Sequence, residues 1–318
     1  MLTSKSLVHS EMNKSYHIPV LQQEVVDYLI SDRAGNYVDA TLGGGGHAMA
    51  ILQNLDSQGR LFGIDQDDDA LESSRNKLGD DGRITYLKGN FGYLTTLIPP
   101  EYHTHIDGIL LDLGVSTHQL TEGERGFSFQ EPGPLDMRMS NFQNLSAYHV
   151  VNEYNYYRLR DVIFHYGEEK MSRQIARAII ENRPVETTDQ LADIVGSVVN
   201  TRYRQKSLAR VFQGLRIEVN QELEMLERAL QQSLQLLRPG GRLVALAYHS
   251  LEDRLVKRFI KTGNTAGEIK KDFYGNTISQ MRPVSKGVIQ PSSKEIEHNP
   301  AARSARMRVG ERKEEQMD

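Results

Sequence analysis

The chain has 318 residues, 38% of them hydrophobic and 25% charged, with no cysteine and a net charge of −4. That length can bury a substantial core and suggests roughly two domains. The lack of cysteine excludes disulfides and thiolate metal sites, and no apolar run is long enough to span a bilayer. An acidic net charge gives no global attraction to nucleic acid, so any RNA contact has to come from local basic patches.

Met1–Tyr16 reads as a loose, polar N-terminus. Met1–Lys14 lacks the apolar centre of a signal peptide, so a cytoplasmic protein is expected. Leu21–Ile30 carries Leu21, Val25, Tyr28 and Leu29 at helical spacing. The stretch VDATLGGGGH, Val38–His47, follows. Asn36–Leu42 reads as a short buried strand, Gly43–Gly46 as a tight turn and Ala48–Leu55 as a helix packed back on the strand. Strand, glycine turn and helix bring backbone N–H groups close to a ligand. A second strand, Arg60–Ile64, ends on Asp65, about 20 residues past the turn, where such folds place an acid on a ribose. Dinucleotides and S-adenosylmethionine compete for this unit. Asp39 helps decide, because a carboxylate there repels a pyrophosphate and suits a ligand bearing an ammonium and a sulfonium. Asp39-x-x-x-Gly43-x-Gly45 therefore resembles the first motif of Rossmann-like, S-adenosylmethionine-dependent methyltransferases.

Asp67–Asp69 favours the positive end of a helix over Ala70–Leu78. Arg83–Leu87 is a third strand, and it delivers Asn90 and Phe91 to the crevice beyond the strand ends. Phe91 either covers an adenine or belongs to the core. Ile106–Leu111 is the clearest buried strand and delivers Asp112. A polar, glycine-rich loop, Leu120–Ser140, is long enough to suggest a functional role. Short helices then follow: Ala147–Glu153, Tyr156–Tyr166, Lys170–Asn182 and Thr188–Val199. On the third, Met171, Ile175 and Ala178 share one face, while Lys170, Arg173 and Arg177 share another. Arg202, Arg204, Lys206, Arg210 and Arg216 add to the basic cluster. Gln119–Arg210 reads as a helical domain inserted into an α/β core. The core resumes with an amphipathic helix over Ile217–Leu237 and a strand, Arg242–Tyr248, that delivers His249 and Ser250. A helix over Leu251–Lys261 comes next. Extended segments near Arg282–Ile289 and Ala305–Val309 are expected to close the sheet as a hairpin.

Taken together, these segments resemble the RsmH/MraW family, bacterial enzymes that methylate N4 of a cytidine in 16S ribosomal RNA. The matching residues are HIPVL at His17–Leu21, DATLGGGGH at Asp39–His47 and GIDQD at Gly63–Asp67. They continue with DGILLDLGVS at Asp107–Ser116, ERGFSF at Glu124–Phe129 and GPLDMRM at Gly133–Met139. Further on come FQGLRIEVN at Phe212–Asn220, RPGGRL at Arg238–Leu243, HSLEDR at His249–Arg254 and NPAARSARMR at Asn299–Arg308. The match runs in order over nearly the whole chain. Two departures are small: Thr117-His118 follows Ser116 where the family often has Ser-Pro, and Gly44 stands where an arginine is common.

The resemblance implies a Rossmann-like class I S-adenosylmethionine-dependent methyltransferase core with an inserted helical domain. The core would be residues 1–118 and 211–318, and the insert, residues 119–210, would recognise the substrate. It implies a cofactor site of Gly45, Gly46, His47, Asp65, Phe91, Asp112 and Gln119, the last resting on the resemblance alone. Asp112 either holds the cofactor or orients the incoming amine. The expected partner is 16S rRNA in the small ribosomal subunit or its precursor, with no DNA and no membrane. Substrate contacts are expected from Arg125, Phe127, Phe129, Arg173, Arg177, His249 and Ser250. Two other classes share parts of this pattern. An NAD-dependent oxidoreductase shares the early fold, and a non-catalytic RNA-binding assembly protein would share the basic insert. His249, Ser250, Glu252 and Asp253 do not read as a hydrolase triad, whose members meet in space rather than in sequence. His103 and His105 do not read as a metal site, and no metal is expected.

Overall fold

The computed structural model describes residues 19–114, 123–140, 143–275 and 277–314. A seven-stranded sheet forms the centre. In chain order its strands are β1 (Asn36–Asp39), β2 (Arg60–Asp65), β3 (Ile84–Lys88), β4 (Ile106–Asp112), β5 (Leu237–Ala247), β6 (Met281–Pro283) and β7 (Arg306–Arg312). Their spatial order is β3-β2-β1-β4-β5-β7-β6. The first five are parallel, and β6 and β7 close the edge as the expected antiparallel pair. This is a Rossmann-like α/β fold. The strand order reverses between β1 and β4, and ligands of such sheets bind beyond the carboxyl ends at that reversal.

Period-two alternation explains why these strands read as unbroken apolar runs. Val38, Ile109, Leu111, Leu243 and Ala245 point into one buried cluster. Tyr37, Leu110, Val244 and Leu246 point into the cluster on the opposite face. A sheet covered on both faces favours apolar residues along the middle of its central strands; a buried exception, Asp107 near the start of β4, accepts from the Asn36 N–H at 2.7 Å and pairs with Arg238 of β5. Register then aligns the ends: Asp39 pairs with Gly63 of β2 and Leu110 of β4. Asp65 and Asp112 therefore stand two residues beyond Asp39, on either side of it.

A separate core holds the segment between β4 and β5 together. Leu135, Met137, Val150, Ile163, Ile175, Leu191, Val211, Phe212, Leu215 and Val219 belong to it. The helices lie close to expectation at Ala147–Glu153, Tyr156–Asp161, Ser172–Glu181 and Thr188–Val198, with a π-helical turn over Val162–Tyr166. One reading needs correction. The stripe over Ile217–Leu237 is not one helix but parts of two, Arg204–Asn220 and Glu222–Leu236. Between them Gln221 sits at φ +52°, a left-handed conformation that costs a non-glycine residue roughly 1–2 kcal/mol. The Arg216 guanidinium offsets this by bridging the break to both oxygens of Glu222, each at 2.8 Å. Residue 210 falls inside the first of these helices, and the helix's distal half packs in this separate core rather than on the sheet.

Candidate active site

The glycine turn is built around Asp65. The Gly43 N–H donates to Asp65 Oδ2 at 2.8 Å, and the Asp67 N–H donates to Oδ1 at 3.0 Å. Burial pushes the Asp65 carboxyl up, and these two N–H donors oppose the shift. Gly43 and Gly45 adopt φ of +49° and +70°, a region that side chains disfavour. A Cβ on Gly46 would lie 2.5 Å from Pro19 Cγ, whereas Gly44 faces open space. The helix Gly46–Asn54 starts here, so its first N–H groups face the crevice.

Behind the turn lie two buried groups with unfilled hydrogen-bonding capacity. Asp39 is 1% exposed, and its Oδ2 has no hydrogen-bond partner among the described residues. Burial is the main reason its pKa stands raised at about 7; His47 and the Thr41 N–H work against the rise, and the neighbouring Asp112 and Asp65 charges add to it. His47 is buried, and neither ring nitrogen makes a hydrogen bond among the described residues. Its Nε2 lies 3.5 Å from Asp112 Oδ2. Buried polar atoms without partners are costly. Next to open, glycine-lined space, they fit a ligand that brings its own N–H donors and positive charge, as the amino-acid end of S-adenosylmethionine does.

Asp112 connects this side of the crevice to a second space. The Tyr248 hydroxyl donates to Asp112 Oδ1 at 2.8 Å. Tyr248 also lines a cavity of about 200 Å³ with Phe127, Phe129, Ala209, Phe212, Gln213, Arg216 and His249. Burial and the neighbouring Asp112 charge both push the Tyr248 phenol upward, so it stays a donor. Phe129 meets Phe212 edge-on at 5.3 Å. The loop supplying Phe127 and Phe129 is fixed from below by Asn220, whose Oδ1 accepts from the Met139 N–H and whose Nδ2 donates to the Met137 carbonyl, both at 2.8 Å.

Of the residues singled out from sequence, Gly45, Gly46, His47, Asp65 and Asp112 come together at the crevice. Phe91 opens a short 3-10 turn beyond β3 and packs partly buried on the sheet's core. Gln119 lies outside the described residues. Phe127 and Phe129 line the cavity. Arg125 is committed elsewhere: it bonds Asp67 Oδ2 at 3.3 Å and the Arg138 and Met139 carbonyls, clipping the loop to the end of β2. His249 lines the cavity, but its Nε2 faces Glu252 Oε1 at 3.0 Å and its Nδ1 caps the helix Ser250–Thr262. The Ser250 hydroxyl bonds Glu168, in the segment between β4 and β5, which also pairs with Arg254 at 3.0 Å. Ser250 therefore ties the end of β5 to that segment. Arg173 and Arg177 are exposed on a helix whose buried face packs into the separate core between β4 and β5, and neither lines the cavity. Glu222, His249 and Glu252 converge closely enough for a cation, but Arg216 already supplies the positive charge there. Sequence reasoning missed Tyr248, Phe212 and Gln213. The signal was present in YHS and FQG, but which residue faces the crevice depends on where β5 ends.

Sheet order, glycine turn and acid-tipped strands together define an S-adenosylmethionine-dependent methyltransferase. The family model described as the MraW methylase family matches residues 14–313, and the chain belongs to that family. It is similar to the ribosomal RNA small subunit methyltransferase H of Bacteroides fragilis, strain YCH46, 45% identical over 308 residues that cover 95% of this chain and 99% of the relative. The Flavobacterium johnsoniae protein of the same name is 47% identical over 300 residues, covering 93% of this chain and 98% of the relative. Among solved structures, TrmN from Thermus thermophilus aligns over 92% of this chain and 48% of its own, at 12% identity and a TM-score of 0.43. Among the described residues no helix is long and apolar enough to cross a membrane.

Proposed function

We propose that this enzyme transfers a methyl group from S-adenosylmethionine to the exocyclic N4 of one cytidine in 16S ribosomal RNA, in the cytoplasm, on the small subunit or its precursor. The cavity walled by Phe127, Phe129, Phe212 and Tyr248, and linked to Asp112 through the Tyr248 hydroxyl, carries this reading. A volume of about 200 Å³ admits one flat base, and enzymes acting on a base in folded RNA swing it out of the stack onto aromatic side chains. The names of the curated relatives support the same substrate class. An NAD-dependent oxidoreductase fits less well, since Asp39 would face a pyrophosphate.

When bound, S-adenosylmethionine supplies a methyl group already activated on a sulfonium. The Gly43–Gly46 turn and the following helix start would hold the carboxylate of its amino-acid tail. Asp39 and His47 would face the ammonium, Asp65 the ribose hydroxyls and Phe91 the adenine; Gln119 joins them by resemblance. Asp112 would accept an N–H of the incoming amine, favouring the pyramidal geometry that the delocalised cytosine nitrogen must adopt to attack. Tyr248 keeps that carboxylate aimed, and the aromatic walls hold the base against it. Alignment of this kind supplies on the order of 7–11 kcal/mol.

The division into a core of 1–118 and 211–318 and an insert of 119–210 belongs to this proposal, with the insert as the RNA-docking module. Packing of Val211 through Val219 in the insert's core favours extending the insert to Asn220. Arg125 then acts by fixing the loop, while Arg173 and Arg177, without an acidic partner among the described residues, offer their charge to flanking phosphates. Mass spectrometry of 16S RNA from cells with and without the protein tests the proposal. Loss of one N4-methylcytidine supports it, and identical RNA overturns it.

A further inference from the structure

Beyond β5, the chain carries a feature that neither the cofactor crevice nor the cavity uses. Lys270–Lys271 and Thr277–Ile278 form a separate antiparallel pair outside the main sheet. On the turn between them Phe273 is 97% exposed and Tyr274 86% exposed, their rings edge-on at 5.6 Å. Ile269 and Ile278 are half exposed beside them. Isolated apolar residues on a surface are ordinary, but a contiguous protruding set marks an interaction site.

The surrounding charge indicates what covers it. Lys270 and Lys271 are exposed and have no acidic partner among the described residues, and Lys257, Arg258 and Lys261 on the helix Ser250–Thr262 are in the same condition. The hairpin's approach passes over that helix: a Cβ on Gly267 would lie 3.3 Å from the Arg258 side chain. Five cations without an acidic partner among the described residues outnumber the two acids of the same stretch, Glu268 and Asp272, and beside two exposed aromatics they match the chemistry of single-stranded nucleic acid, with bases on the rings and phosphates on the ammonium and guanidinium groups. The same helix begins at Ser250, next to the cavity-lining Tyr248 and His249, and its 13 residues span about 20 Å.

We propose that the hairpin around Phe273 and Tyr274, with the cationic face of the helix beneath it, is a second RNA-contact surface that grips single-stranded RNA flanking the target nucleotide. It rests on the reading of the enzyme as an RNA methyltransferase. It assigns part of the grip to the core side of the molecule, away from the basic helices of the insert.

The test compares the full-length parent with Phe273→Ala/Tyr274→Ala and Lys270→Ala/Lys271→Ala. Binding is measured to a naked single-stranded fragment of 16S RNA and to small subunits across a salt series, with S-adenosylmethionine affinity by calorimetry as the control for folding. The aromatic pair is expected to weaken binding to the naked fragment about tenfold or more. The lysine pair is expected to reduce the salt slope by about 1.4, the share of two contacts on a single strand. Cofactor affinity should match the parent in both. Parental affinity and slope on naked RNA overturn the inference, as does a defect confined to whole subunits, which would point to a ribosomal protein as partner. A parent that binds and methylates no ribosomal RNA would instead overturn the functional reading on which the inference rests.

Discussion

The Tyr248 hydroxyl reaches Asp112 Oδ1 at 2.8 Å, so one side chain both walls the cavity and holds the carboxylate at the cofactor crevice. A hydrogen bond to a charged acceptor contributes about 1.5–3 kcal/mol. Tyr248→Phe keeps the ring and removes the bond. Single-turnover methyl transfer is expected to fall roughly ten- to hundredfold, with RNA affinity close to the parent's. An unchanged rate would leave the hydroxyl no part in aiming Asp112.

Asp65→Ala removes the acceptor for two backbone N–H groups as well as the expected ribose contact. Cofactor affinity should drop by roughly 1.5–3 kcal/mol, read by calorimetry on folded protein. Asp112→Asn separates two roles. If Asp112 chiefly orients the amine, the single-turnover rate falls more than affinity does, and if it chiefly holds the cofactor, both fall in step. Wild-type behaviour excludes both.

Asp39 predicts a pH dependence. Its folded-state pKa of about 7 exceeds the ordinary carboxyl value, so between pH 4 and pH 7, roughly, the folded protein binds more protons at this position than the unfolded chain. Its contribution to stability is therefore fully present at low pH and is lost as pH rises through about 7. The ionised form that appears above that pH is the one suited to an ammonium. Ligand-free protein is expected to lose thermal stability over this range while cofactor affinity rises. Asp39→Asn should flatten both curves, and parallel curves for parent and variant would refute the assignment. Asp65, Asp112 and His47, which share the pocket, must be intact in both.

Arg125→Ala tests the loop. Its guanidinium is largely buried and joins Asp67 to two carbonyls of the loop. Its loss should cost roughly 1.5–3 kcal/mol of stability and reduce RNA methylation more than cofactor binding. Equal losses in both would show that the clip serves the cofactor turn instead.

Much of the core was legible in the sequence because its signals are local. The run Ile106–Leu111 is a buried strand on composition alone, and the glycines after Asp39 admit few backbone paths. The break at Gln221 was hidden, since the apolar stripe continues across it and the turn is held by side chains from both helices, Arg216 and Glu222. The bonds of His249 and Ser250 were hidden for a related reason. Both sit at a strand end that faces the crevice, but the partners that consume them, Glu252 and Glu168, are fixed by a helix cap and by a residue 82 positions away. Tyr248 was the reverse case: it looked like the last residue of a strand, and only the register of β5 against β4 turns it toward Asp112.

The most direct measurement of the central claim is methyl transfer in vitro. Purified protein is incubated with methyl-labelled S-adenosylmethionine and small subunits lacking the modification, and the RNA is digested to nucleosides and resolved by chromatography and mass spectrometry. Label in a single nucleoside, N4-methylcytidine, is the predicted result. Label in 5-methylcytidine, in a ribose methyl or in no nucleoside would contradict it.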